Sequence, residues 1–161
     1  MGKVIIDLSV SLDGFIAGAG DGMDLPLGRG GEAVFAWMGA GPEANRLDDH
    51  IQPPDASMPV AREWYAEAGA MLSGRRTFDI ARGWRFGHPI PVPIFVLTHQ
   101  PPEAGAWSPA VTFVTDGLDR ALELAQEAAG DRVVSVSGAS IAQQLLRTGK
   151  VDEIQVSITP V

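Results

Sequence analysis

The stretch Arg132-Val133-Val134-Ser135-Val136-Ser137-Gly138-Ala139-Ser140-Ile141-Ala142-Gln143-Gln144-Leu145-Leu146 changes character half-way along. Val133 to Ser137 is short and β-branched, the signature of a buried strand. Ile141 to Leu146 carries apolar residues at helical spacing. Ser137-Gly138-Ala139-Ser140 lies between them. Ser140 with Gln143 three residues later has capping-box spacing, which predicts that the helix begins there. A strand, a small-residue turn and a helix start together make an anion site. The first-turn N–H groups are free and the positive end of the helix dipole faces the ligand. Gly138 and Ala139 have little side chain to hold a phosphate away from the backbone. An ordinary βα turn uses the same residue types, so the stretch alone leaves both readings open.

Upstream, the pattern recurs. Ala70-Met71-Leu72-Ser73 reads as a short buried strand, and Gly74-Arg75-Arg76-Thr77-Phe78 turns it into a helix running to about Arg82. Arginine at a helix start opposes the dipole. Two together suggest a negative group beside them, since guanidinium forks suit phosphate; two solvated arginines are the plainer alternative. Ile94-Phe95-Val96-Leu97 is another buried strand and ends in the polar turn Thr98-His99-Gln100. Val111 to Val114 is a further strand. Leu118, Ala121, Leu122, Ala125, Ala128 and Ala129 then give the strongest helical period in the chain, and Gly130 stops that helix.

The N-terminal third opens on a strand, Lys3 to Ser11, with apolar residues on both parities, as in a central strand. Leu12-Asp13-Gly14-Phe15-Ile16 follows. Asp13 is either a turn residue or a carboxylate at the carboxyl end of a strand, where open α/β sheets bind their ligands. Gly28-Arg29-Gly30-Gly31-Glu32-Ala33 is a literal G-x-G-x-x-A, but no strand precedes it, so it is not a dinucleotide fingerprint. Gly31 to Met38 reads as a short helix. Pro42 to Pro59 is a polar excursion, either a lid or a surface insertion. Met58 to Ala68 reads as a helix with Val60, Ala61, Trp64 and Ala68 on one side, and Trp64-Tyr65 is read as core and wall. Glu153 to Ile158 is the last strand. Strands alternating with helices through short turns predict an α/β/α sandwich on a mainly parallel sheet, in a single domain.

The 161 residues are 45% hydrophobic and 20% charged, a globular balance. A net charge of −8 argues against nucleic acid as a partner, which needs a basic face. The absence of cysteine excludes disulfide and thiolate chemistry. His50, His88 and His99 are far apart and none has metal-ligand spacing, so no metal is expected. No apolar run approaches a membrane span and no basic n-region opens the chain, so a cytoplasmic location is expected.

Three places line up with one known family. Gly74-Arg75-Arg76-Thr77-Phe78 resembles the Gly-Arg-x-Thr-aromatic motif of the dihydrofolate reductase superfamily. Phe95-Val96-Leu97-Thr98-His99-Gln100 resembles its strand and polar turn. Ser137-Gly138-Ala139-Ser140 stands where the family has a Gly-Gly turn before a helix. Ser11-Leu12-Asp13-Gly14-Phe15-Ile16-Ala17 resembles the branch that includes the reductase domain of the riboflavin-synthesis deaminase–reductase. The resemblance implies a dihydrofolate reductase-type sandwich that binds NADPH. It implies Arg75, Thr77, Thr98 and His99 around the adenosine ribose and its 2′-phosphate, with Arg76 as a helper and with Gly74 and Leu97 also in the cofactor site. It implies Gly138, Ala139 and Ser140 at the pyrophosphate, with Ser137 also in the cofactor site, and Ile16 and Ala17 beside the nicotinamide. The chain departs from the pattern at Ser137, which replaces the first glycine. The zinc-deaminase pattern is absent. The family continues with further antiparallel strands, so Ile154 to Ile158 is expected as an apolar edge, completed by more chain or by a second copy in a homodimer. The expected activity is hydride transfer to a C=N or C=O carbon of a small pterin- or pyrimidine-like substrate, with Asp13 as the candidate acid. The competing expectation is a non-catalytic nucleotide-binding or scaffold protein on the same fold.

Overall fold

The β-branched runs and the glycines that interrupt them set the order of elements. The computed structural model of the protein describes residues 2–38, 58–88 and 90–161. Strand β1 (Val4–Ser11) is followed by the short helix α1 (Glu32–Phe35), which tightens into a 3-10 turn at Ala36–Met38. Next come α2 (Met58–Glu67), β2 (Ala68–Gly74), α3 (Arg75–Ile80), β3 (Ile94–Leu97) and β4 (Val111–Val114). The chain continues through α4 (Leu118–Ala129), β5 (Val133–Ser137), α5 (Ala139–Arg147) and β6 (Glu153–Thr159). The six strands form one parallel sheet in the order β4-β3-β2-β5-β1-β6.

The register explains the two layers that flank the sheet. Val4, Ile6, Leu72, Val134 and Val136 share one face, because Val4 pairs with Val134, and Ile6 with Val136, which in turn pairs with Leu72. All five are buried. Helix α4, with Ala121, Leu122, Ala125 and Ala129 buried, and α5, with Ile141, Ala142 and Leu145 buried, pack on the strands that carry them. Four of those seven helix residues are alanine, which lets the helices approach closely. At Gly69, in the bulge between Ala68 and Ala70, a side chain would meet the Ala129 backbone at 2.9 Å. The opposite face carries Met71, Ile94, Val96, Val111 and Phe113, with Phe78 of α3, Trp84 and Trp107 packed against it. Phe78 makes edge contacts with Trp84, Trp107 and Phe113 at centroid distances of 6.1, 6.3 and 5.0 Å.

Contacts divide the chain into two compact units. Residues 1–7 with 67–155 form the one just described. Residues 8–66 with 156–161 form the other. In it, Trp37 Nε1 donates to Ser9 Oγ at 3.0 Å and meets Trp64 edge-on at 5.5 Å. Thr159 Oγ1 donates to the Val34 carbonyl at 3.0 Å. The glycine-rich loop closes on itself: Ala19 bridges Arg29, and the Gly18 N–H donates to the Leu27 carbonyl at 2.7 Å. Gly28 sits at φ +72, where a side chain would overlap the Gly18 carbonyl. The G-x-G-x-x-A glycines thus serve a tight loop, as the missing strand before them implied.

Three expectations change in detail. Helix α2 ends at Glu67, so Ala68 opens β2 rather than closing the helix, and Val60 is exposed rather than inward-facing. Pro59 already lies in α2, near its start, where proline is tolerated. Positions 42–57 of the expected Pro42–Pro59 excursion lie outside the described residues, as does the Tyr65 side chain. Ile154, Val156 and Ile158 of the edge strand β6 are exposed, as expected.

Phe78 belongs to the Gly-Arg-Arg-Thr-Phe motif and to the core at once. Phe78→Ala is therefore expected to cost about 3–5 kcal/mol in unfolding free energy, measured by urea denaturation, and a cost below about 1 kcal/mol would contradict this packing.

Candidate functional site

Chain direction parts between β2 and β5. From β2 the chain leaves toward β3, on one side; from β5 it leaves toward β6, on the other. Open parallel sheets bind ligands at such a point, beyond the carboxyl ends of the strands. Both strands end there in glycine turns, Gly74 before α3 and Gly138 before α5. The two turns touch. Gly138 adopts φ +98, and a Cβ on it would overlap Thr77 Oγ1. Only glycine allows α5 to start in this conformation with the Thr77 hydroxyl so close.

Helix α5 begins at Ala139, with Gly138 as its N-cap and no side-chain cap. The expected capping box is not formed. Ser140 lies inside the first turn, and its Oγ contacts Gln144 Nε2 at 3.4 Å rather than Gln143. The first intrahelical bond runs from the Ala142 N–H to the Gly138 carbonyl at 3.2 Å. The N–H groups of Ala139, Ser140 and Ile141 therefore have no helical acceptor. The Thr77 and Ser137 hydroxyls make no hydrogen bond among the described residues. Small residues, free N–H groups and the unused Thr77 hydroxyl suit an anion's approach.

Arg75 bridges the α3 start and the turn after β3. Its Nε donates to Asp79 Oδ1 at 2.8 Å and its Nη1 to the Gln100 carbonyl at 2.7 Å. The Thr98 hydroxyl donates to the same carbonyl at 3.0 Å, and the buried Thr98 backbone is tied to Val114. Arg75 and Thr98 thus fasten two predicted segments to one another. Leu97 pairs with Gly74 across the same strand ends. Arg76 and His99 are exposed at these turns. The structure brings together Gly74, Arg75, Arg76, Thr77, Leu97, Thr98, His99, Ser137, Gly138, Ala139 and Ser140 at adjacent strand ends of one unit.

Asp13, Ile16 and Ala17 belong to the other unit. Asp13 is exposed in a turn closed by the Gly14 N–H on the Ser11 carbonyl at 3.0 Å, and it accepts the Ser11 hydroxyl at 2.5 Å. Ile16 and Ala17 are half-buried just beyond that turn.

Sequence reasoning missed Asp7. The register between β1 and β5 ends at Ile6 with Val136; Asp7 and Ser137 stand one residue further along their strands, on the same face, and Ser137 pairs with Ser73. A polar row, Asp7-Ser137-Ser73, therefore crosses three strands on one face at the level of the glycine turns. Ser135 stands one step back on the same face. Ser73 is fully buried and its hydroxyl finds no hydrogen-bond partner among the described residues. Burial, with no cation beside it among the described residues, raises the Asp7 carboxyl from 3.8 to about 6. The signal was in the sequence: an aspartate amid the apolar run Val4-Ile5-Ile6-Asp7-Leu8.

Residues 2–161 match the family of RibD C-terminal domains. The chain belongs to that family. It is a family of reductase domains of riboflavin biosynthesis, in agreement with the motifs at Gly74 and Gly138. The fold resembles the crystal structure of a protein from Shewanella sp. PV-4 assigned to riboflavin biosynthesis, with a TM-score of 0.65 and 19% identity over 99% of this chain and 77% of that one. No curated relative matches the chain in sequence. Among the described residues, no helix is long and apolar enough to cross a membrane.

Within this RibD C-terminal domain, Asp7 couples stability to pH. The folded state holds the Asp7 proton more tightly than the unfolded chain does. As pH rises from about 4 to about 6 the unfolded chain releases it first, so this group's contribution to stability falls across that window. Asp7→Asn should remove the fall and leave the variant more stable than the parent above pH 6 by ~1–2 kcal/mol, a linkage value discounted for the carboxyl's partial access to water. Denaturant titrations of both proteins at pH 4 and pH 7 check this; an unchanged difference between the two pH values would refute it.

Proposed function

We propose that this chain is an NADPH-dependent reductase that delivers a hydride to a C=N or C=O carbon of a small pterin- or pyrimidine-like substrate, in the cytoplasm. The observation that carries this reading is the meeting of Thr77 with Gly138 where the strand connections part. It joins the two turns that the family resemblance assigns to the cofactor.

The residues present fit such a cofactor. Gly138 leaves the backbone open, and the N–H groups of Ala139 and Ser140, with the Thr77 hydroxyl, suit the pyrophosphate. Arg75 is held by Asp79 and the Gln100 carbonyl, so it orients the 2′-phosphate pocket more than it closes on the ligand. Arg76 and His99, exposed at its mouth, supply charge and donors to the 2′-phosphate. Bound NADPH supplies the hydride, and the domain's contribution is to orient it and exclude water. The family resemblance assigns Ile16 and Ala17 to the nicotinamide. Asp13, exposed and fixed by Ser11, is suited to hold the water that delivers the accompanying proton. A homodimer goes with this reading, since the apolar Ile154, Val156 and Ile158 of β6 are exposed.

A thermal-shift titration tests the proposal. At 100 times its dissociation constant NADPH adds about 2.7 kcal/mol, roughly 5–10 °C for a chain of this length. NADH should give a smaller shift. Gly138→Ala should abolish the NADPH shift, because the new methyl group meets Thr77 and the backbone conformation is one that alanine resists. Equal shifts in the parent and Gly138→Ala would move the cofactor elsewhere, and no shift in a folded parent would leave the non-catalytic scaffold reading.

A further inference from the structure

Apart from Ser137, which the family resemblance sets in the cofactor site, the reductase reading leaves the polar row unused. Asp7, Ser135 and Ser137 are half-buried neighbours on one face of β1 and β5, and Ser73 of β2 completes the row. None of the four side chains makes a hydrogen bond among the described residues, although each carries strong donors or acceptors. For Ser73 the hydroxyl is fully buried as well as unpartnered. Parallel sheets are apolar on both faces unless function intervenes, and the same face is apolar one strand further on, at Ile94 and Val96. The polar patch is therefore confined to β1, β5 and the end of β2, beside the Gly138 turn.

The chemistry of the patch selects its occupant. An ionised carboxylate only accepts hydrogen bonds, and hydroxyls can accept too. A partly buried carboxylate without a cation gains most from a ligand that brings one, or that brings N–H groups. An anionic group would meet like charge here. Three strands spaced ~4.8 Å apart give a floor about 10 Å wide, the size of a small ring system.

We propose that Asp7, with Ser135 and Ser137, forms a substrate subsite for a planar, N–H-donating group, cationic or amide-like, on a small ring. Its assignment to the substrate rests on the reductase reading; the ligand chemistry rests on these side chains alone. Burial already pushes the Asp7 carboxyl up, and an N–H donor bound there would reverse that shift.

The probe is benzamidine hydrochloride, with benzamide and benzoate as neutral and anionic counterparts of the same shape. Binding is followed by amide and carboxyl chemical shifts of the folded chain. The expected result is saturable binding of benzamidinium, strongest among the three, with the largest shifts at the Asp7 carboxyl and the Ser135 and Ser137 amides. Asp7→Asn should weaken benzamidinium by at least about tenfold, and Ser137→Ala by a smaller factor. The NADPH thermal shift of Asp7→Asn should equal the parent's. Preference for benzoate, absence of saturable binding, or equal benzamidinium affinity in Asp7→Asn would each overturn the subsite. If benzamidinium behaves as expected but the parent shows no NADPH shift, the subsite stands and the reductase reading fails.

Discussion

At Gly138 a methyl group has no room, because the Thr77 hydroxyl occupies the space it would need and the backbone sits at φ +98. That close approach fixes the starts of α3 and α5 against each other. It holds the carboxyl ends of β2 and β5 in one rim, and Arg75 extends the rim to the turn after β3 through Asp79 and Gln100. Phe78, one residue beyond Thr77, anchors the same short helix in an aromatic cluster with Trp84, Trp107 and Phe113. The motif therefore has two tasks on opposite sides of one helical turn, packing with Phe78 and facing the α5 start with Thr77.

The sheet supports this rim with two unlike faces. One is apolar across β1, β5 and β2 and is covered by the alanine-rich side of α4 and by α5. The other is apolar across β3, β4 and Met71 of β2 and turns polar at Asp7, Ser135, Ser137 and Ser73. Covering one face fully and leaving polar groups on the other costs stability at Asp7, whose burial disfavours its charge. Such local cost is the usual mark of a working surface rather than of a core.

Much of this was legible in the chain because strand and helix periods are strong signals. The β-branched run Val133–Val136, the alanine and leucine spacing of α4 and the glycine stop at Gly130 each gave their element with little error. The capping box was misread because Ser-x-x-Gln is only a spacing. A glycine at positive φ took the cap position two residues earlier and left Ser140 inside the helix. Asp7 was passed over because a strand with apolar residues on both parities reads as central whether or not one polar residue interrupts it. Register alone reveals that Asp7, Ser137 and Ser73 are neighbours, since they lie 64 or more residues apart in sequence. Arg75 showed the reverse error. Its charge suggested a free anion fork, but its hydrogen bonds go to Asp79 and Gln100.

The central claim is that the Thr77–Gly138 rim is where a nucleotide's phosphates lie. Amide chemical-shift mapping with NADPH tests it most directly. The account predicts that the largest changes fall at Ala139, Ser140 and Ile141, with Thr77 and the Thr98–Gln100 turn next. Changes centred instead on the glycine-rich loop of residues 18–31, with the α5 start unmoved, would contradict it.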